Sequence, residues 1–201
     1  MSLPPPELRP GEAADLAART AARAAAEGVA EIAYAQVDSP VGRLVAVATP
    51  RGLARLAYEL ENGGLDSILD DVALRLSPAI VEAPAGLDDI RRELDEYFAG
   101  RRRDFDLELD WALTAPGFRR RVLQECAQIP FGATSTYKQM AIAAGSPRAF
   151  RAAGGALGSN PIPIVVPCHR VLASGGGLGG YTGGLDRKRT LLSIEGGMLA
   201  V

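Results

Sequence analysis

Near residue 60 the spacing of apolar residues changes from that of strands to that of helices, which points to an α+β chain. Before the change, Ile32-Ala33-Tyr34-Ala35-Gln36-Val37 and Leu44-Val45-Ala46-Val47-Ala48 are strand-like runs, joined by the turn signal Asp38-Ser39-Pro40-Val41-Gly42. A third strand is expected after Arg51-Gly52, from Leu53 to Tyr58, completing an antiparallel meander. After the change, residues 65–76 and 87–98 carry helical spacing. Leu87, Ile90, Leu94, Tyr97 and Phe98 share one face of the second helix, and Gly100 ends it. Phe105 to Trp111 alternates apolar and acidic residues, as a half-exposed strand or an extended linker does. A domain boundary is expected near Leu113–Ala115.

The remainder reads as helical. Pro116 to Ala127 places Phe118, Val122, Leu123 and Cys126 at helical spacing, and Pro130-Phe131-Gly132 is a turn. Ser135-Thr136-Tyr137 opens a short helix to Ala143. Ser146 is expected to N-cap the next helix with Pro147 at its first position, the helix running to about Leu157. Two short helices about a glycine turn form a helix-turn-helix pattern, a weak signal by itself because many helical cores contain such corners. The second helix carries Arg151-Ala152-Ala153-Gly154-Gly155-Ala156. Each helical glycine costs about 1 kcal/mol relative to alanine, so the small face implies close approach, either by another helix or by a DNA groove. Residues 1–30 begin Pro-rich and turn Ala-rich from Ala13 to Ala26, which suggests a weakly anchored helix stopped at Gly28. The expected organisation is therefore an extension (1–30), an N-terminal α/β domain (31–113) and a C-terminal domain (114–201).

Composition narrows the function classes. No stretch approaches the roughly 20 apolar residues of a membrane span, and Met1 to Pro6 lacks a basic and then apolar leader, so neither a membrane segment nor a signal peptide is expected. Two cysteines and one histidine do not suffice for a structural zinc site, so no metal is expected; both thiols should be reduced, in a cytoplasmic protein. The net charge of −2 is unevenly spread. From Thr114 onward ten basic residues face three acidic ones, a balance of +7, and the remaining twelve basic and twenty-one acidic residues give −9. Either the C-terminal part meets a polyanion or the charges cluster by chance on a solvated surface.

The densest chemistry lies in Ser159-Asn160-Pro161-Ile162-Pro163-Ile164-Val165-Val166-Pro167-Cys168-His169-Arg170-Val171. An apolar run bounded by prolines delivers a cysteine beside the only histidine. A Cys-His dipeptide alone is most simply a buried thiol next to a ring. The whole motif, however, resembles the active site of the O6-alkylguanine-DNA alkyltransferases. The resemblance runs from Ile129-Pro130-Phe131-Gly132 and Ser135-Thr136-Tyr137, through Arg148 to Pro161 and Pro167-Cys168-His169-Arg170, to Gly179-Gly180-Tyr181-Thr182-Gly183-Gly184 and Gly196. Its last matching segment is Lys188 to Gly196. It covers roughly the last 85 residues; the first 110 match only as a strand-rich domain.

A thiol near its ordinary pKa of about 8.5 is mostly protonated at neutral pH, so a nucleophilic Cys168 needs a base. His169 is the only imidazole, and because adjacent side chains seldom face one another a water is expected to bridge the two. The resemblance implies a ribonuclease H-like N-terminal domain and a winged-helix C-terminal domain. It assigns Glu195 to orient His169, and Asn160 to hold the active-site turn. It further implies that a flipped guanine enters a pocket made by Tyr181, Thr182, Gly183, Val171, Pro163 and Leu157. DNA contact would fall to Ser135, Thr136, Tyr137, Ala152, Gly154 and Gly155, with Arg151 filling the vacated stack. The implied activity is single-turnover repair of double-stranded DNA by transfer of the alkyl group of O6-alkylguanine to Cys168. O4-alkylthymine is a second candidate lesion. No cofactor is expected, and the protein should be a monomer, with cooperative assembly on DNA left open. Leu123 departs from the tryptophan of many relatives, which bears on packing alone. Two other readings stay open at this point: a damage-binding protein without transfer, against which Cys168 argues, and a thiol hydrolase, for which adjacent Cys and His are poor geometry.

Overall fold

The computed structural model describes residues 31–196; the Ala-rich helix expected at 13–26 lies outside them. Three strands form the meander: β1 (Ile32–Val37), β2 (Leu44–Thr49) and β3 (Gly52–Tyr58), paired antiparallel in sequence. A fourth, β4 (Ile80–Glu82), adds parallel to β1 in the register Ile32↔Ile80, so the sheet order is β3-β2-β1-β4 and the sheet is mixed rather than purely antiparallel. Three residues between proline-containing turns are too few to show a period, which is why this strand has no sequence signal.

Both faces of the sheet are covered. Val45 and Val47 of β2 and Ala57 of β3 meet Ile68 and Val72 of α1 (Leu65–Arg75) on one side. Leu44, Ala46, Leu56 and Tyr58 face Leu87, Ile90, Leu94 and Tyr97 of α2 (Asp88–Phe98) and its preceding turn on the other. A strand buried on both faces needs apolar residues at every position, and Leu44 to Val47 supply four in succession. Each fully buried Leu or Ile here contributes about 1.5–3 kcal/mol. The segment 105–111 runs along the exposed edge of β3. Leu53 N–H donates to Glu108 O at 2.8 Å and Asp110 N–H to Leu53 O at 2.9 Å, so the alternating stretch covers the open edge.

The second half packs α3 (Phe118–Ala127), α4 (Tyr137–Ala143), α5 (Phe150–Gly158) and α6 (Leu185–Ile194), with two short parallel strands, β5 (Ser135–Thr136) and β6 (Val171–Leu172). Val122, Leu123 and Cys126 of α3 are fully buried and belong to the same apolar cluster as β2 and α2, so the halves share one core. Thr136 caps α4: its hydroxyl accepts from Gln139 N–H at 3.2 Å, while Gln139 accepts from Thr136 N–H at 2.8 Å. The expected cap at Ser146 is not formed. Residues 146–149 make a separate turn closed by Ala149 N–H to Ser146 O at 2.9 Å, and α5 starts only at Phe150 with no side-chain cap. Pro147 therefore serves that turn rather than the first turn of α5. No helix among the described residues is long and apolar enough to cross a membrane.

Candidate active site

The proline-bounded run from Asn160 to Pro167 folds back on itself through Asn160. Its amide nitrogen donates to Val166 O at 2.8 Å and lies 3.3 Å from Cys168 Sγ, and its side-chain oxygen accepts from Ile162 N–H at 3.0 Å. Ile164 holds a left-handed φ of 76°, which costs a β-branched residue on the order of 1–3 kcal/mol, and its side chain is fully buried in the core. Leu56 N–H of β3 donates to Pro161 O at 2.9 Å, tying this turn to the sheet. Cys168 then opens a single 3-10 turn, Cys168–Arg170, with its N–H bonded to Val166 O at 2.8 Å.

Behind the cysteine lies a buried polar hub. Glu195, just past the end of α6, accepts from Tyr97 O–H at 2.7 Å and from His169 Nε2 at 2.8 Å. Arg170 grips both of its carboxylate oxygens, through Nε and Nη2, each at 2.9 Å. Burial alone would raise the Glu195 carboxyl, but the hydrogen bonds and charges of His169 and Arg170 outweigh it and hold the group at about 2. An ionised Glu195 can only accept, so His169 Nε2 carries the proton. Burial lowers the His169 pKa against the pull of Glu195, which keeps the ring neutral. Its Nδ1 is then an acceptor, buried and without a hydrogen-bond partner among the described residues.

Burial pushes the Cys168 thiol up to about 11. The Asn160 amide, the Lys188 ammonium and the backbone N–H groups of Cys168 and His169 pull the other way. Lys188 is fully buried, and burial lowers it to about 8 against the opposing influence of Cys168. Its ammonium donates to Val171 O at 2.7 Å, to Gly180 O at 3.3 Å and to Leu178 O, fastening the glycine-rich loop that follows β6. Among the described residues no three Cys, His, Asp or Glu side chains gather as metal ligands.

Cys168 opens on a cleft of roughly 410 Å³, bounded by Tyr137, Gly154, Leu157, Gly158, Gly180, Tyr181 and Thr182. Of the residues the resemblance puts in a pocket, Leu157, Tyr181 and Thr182 line the same cleft as Cys168, with Thr182 Oγ1 donating to Gly158 O at 2.6 Å. Three further residues of that set are not among those bounding this cleft: Val171 is fully buried, Pro163 lines a neighbouring groove, and Gly183 sits against the rings of Tyr58 and Tyr181. Tyr137 crosses the mouth with its O–H 3.4 Å from Gly180 O. A side chain at Gly179, where φ is 68°, would collide with the Tyr137 hydroxyl, so only glycine fits there. On α5, Arg151, Ala152 and Gly155 are exposed on one face, Gly154 packs beside the Tyr137 ring, and Ala153, Ala156 and Leu157 are buried. Ser135 and Thr136 are half-buried, and the Thr136 hydroxyl is engaged in the α4 cap.

Several members of the site carry no signal in the local sequence. Tyr97 was legible only as an apolar-face residue of α2, and it reaches Glu195 across 98 positions of chain. Arg170 stood inside the motif without a role, Lys188 marked only the start of a matching segment, and Tyr58 was the end of a strand. Their partners are distant in sequence, so no local pattern announces them.

The family model described as "6-O-methylguanine DNA methyltransferase, ribonuclease-like domain" matches residues 32–111, and the one described as "6-O-methylguanine DNA methyltransferase, DNA binding domain" matches residues 117–197. A methylated-DNA–protein-cysteine methyltransferase of Mycolicibacterium paratuberculosis is 41% identical over 164 residues, 82% of this chain and 92% of the relative. That of Methanosarcina barkeri is 36% identical, covering 81% of this chain and 96% of the relative. The crystal structure of Mycobacterium tuberculosis OGT in complex with DNA superposes with a TM-score of 0.70 at 37% identity, over 81% of this chain and 92% of that one. Matched along both halves by these models and relatives, the chain belongs to the 6-O-methylguanine DNA methyltransferase family.

Proposed function

We propose that this protein repairs DNA directly, by moving the alkyl group of O6-alkylguanine onto Cys168 in one irreversible step. The observation that carries the reading is Cys168 itself: it alone of the two cysteines lines a cleft, whereas Cys126 is fully buried in the core. Its thiol proton passes through a bridging water to His169 Nδ1, the free acceptor of the ring that Glu195 orients. Sγ attacks the alkyl carbon; the S–C bond forms as the C–O6 bond breaks, and the departing guanine recovers one proton, so the thiol hydrogen is exchanged for the alkyl group. Asn160 and Lys188 favour the anionic sulfur against the strong opposing effect of burial. The product is a thioether that no group in the site can hydrolyse, which makes the protein a single-turnover methyltransferase.

DNA would lie against α4 and α5. A stacked base cannot reach a cysteine at the floor of a cleft, so the nucleotide must flip out. Tyr137 borders the cleft mouth, where it guides the nucleotide and its phosphate, and Arg151 projects from the small exposed face with Ala152 and Gly155 to fill the stack. The basic balance from residue 114 onward supports this side as the DNA face. In this division of labour residues 114–201 carry DNA binding and alkyl acceptance, while 31–113 brace them. The protein acts as a cytoplasmic monomer on double-stranded DNA, and O4-alkylthymine fits the same chemistry as a minor substrate. The test is stoichiometry with an excess of duplex carrying labelled O6-methylguanine. Label should saturate at one methyl per protein chain; repeated turnover would indicate a hydrolase, and no transfer a binding protein.

A further inference from the structure

Tyr181 forms the wall of the cleft beside Cys168, yet its own loop does little to fix the ring. The loop runs through Gly175-Gly176-Gly177, Gly179-Gly180 and Gly183-Gly184, and its ties to Tyr137 and Lys188 hold backbone carbonyls, not the aromatic side chain. The tie on the ring comes from the other half of the molecule. Tyr58, the last residue of β3, is 3% exposed and shares a 2.8 Å hydroxyl–hydroxyl hydrogen bond with Tyr181. The two rings meet edge to face, with centroids 6.3 Å apart.

Tyr58 is itself held from several directions. It pairs with Leu44 in the sheet, and its carbonyl accepts from Asn62 Nδ2 at 2.8 Å. The Arg187 guanidinium lies 4.8 Å from its ring centre. Arg187 donates to Gly183 O at 2.9 Å and to Val41 O, and pairs with Glu61. Any side chain at Gly183 would run into both tyrosine rings. The sheet thus presents a rigid hydroxyl to the back of a wall whose own backbone is glycine-rich.

We propose that Tyr58 is a specificity-determining positioning residue, which sets the space beside Cys168 Sγ through its bond to Tyr181 and so governs which alkyl groups are accepted. Tyr58 does not line the cleft, and its effect passes through Tyr181. Freed of that bond, the Tyr181 ring can swing outward and admit a bulkier group. The proposal rests on the transfer reading above.

The test compares single-turnover rates on two otherwise identical duplexes, one carrying O6-methylguanine and one O6-benzylguanine, for the wild type, Tyr58→Phe, Tyr181→Phe and the double variant. Tyr58→Phe should raise the benzyl-to-methyl rate ratio about fivefold, the worth of one buried neutral hydrogen bond. Tyr181→Phe removes the same bond from the other side and should shift the ratio alike, so the question remains answerable should either single variant fold poorly. The double variant should shift it no further. A ratio unchanged in both single variants, or single effects that add in the double, would overturn the proposal while leaving the transfer reading intact. A wild type inactive on both duplexes would overturn the transfer reading, and this proposal with it.

Discussion

Replacing Glu195 by glutamine should destabilise the protein strongly at neutral pH and hardly at all in acid. The carboxylate is buried and accepts from Tyr97, from His169 and twice from Arg170. An amide of the same shape leaves the Arg170 guanidinium buried, 5% exposed, without its counter-charge. Breaking a buried ion pair in this way costs about 3–5 kcal/mol. The depressed carboxyl leads to a similar figure: a group held at about 2 instead of near 4.5 contributes about 3 kcal/mol once fully ionised. Because the folded value lies below the unfolded one, that contribution is complete above about pH 5, shrinks as the pH falls, and is gone below about pH 2. Thermal unfolding of wild type and Glu195→Gln across pH 2–7 reads this directly. At about 2–4 °C per kcal/mol for a chain of this size, the gap in Tm should be on the order of 10 °C at pH 7 and close towards pH 2. A gap below about 2 °C at pH 7, or one that does not change with pH, would refute the view of Glu195 as an ionised hub.

Arg151→Ala should slow repair within duplex DNA far more than reaction with free O6-benzylguanine, because only the duplex needs its vacated stack filled; lysine should rescue in part, and equal losses on both substrates would remove Arg151 from the groove. DNA affinity should depend little on sequence and fall linearly on a log–log plot against salt, most contacts being to phosphate. A flat salt response, measured by fluorescence anisotropy, would count against the basic C-terminal face. Cys168→Ser should bind DNA nearly as well as the wild type while transferring nothing, since a hydroxyl is far less acidic than a thiol.

The α+β class was legible because β1 to β3 are apolar runs set apart by turn residues and α1 to α3 carry helical spacing, and because the half-exposed alternation of Phe105 to Trp111 matches a segment laid along an edge strand. What escaped has physical causes. β4 is too short to alternate, and its place beside β1 is a long-range pairing. Ser146-Pro147 satisfies the pattern of a helix start, yet the chain spends it on a separate turn before α5. At the site, the nearness of Asn160, Cys168 and His169 follows from one compact segment of sequence. The environment that tunes them does not. Tyr97 and Arg170 converge on Glu195 from different elements, Lys188 reaches back to Val171, and Tyr58 meets Tyr181 across 123 positions of chain. Such groups look like ordinary core or surface residues until the fold brings their partners in.

That Cys168 is the alkyl acceptor can be read from the mass of the protein after incubation with a duplex carrying O6-methylguanine. The intact chain should gain the mass of one CH2 and no more, and proteolytic mapping should place it on the peptide containing Cys168. A methyl group found on Cys126, or an unmodified chain alongside demethylated DNA, would contradict it.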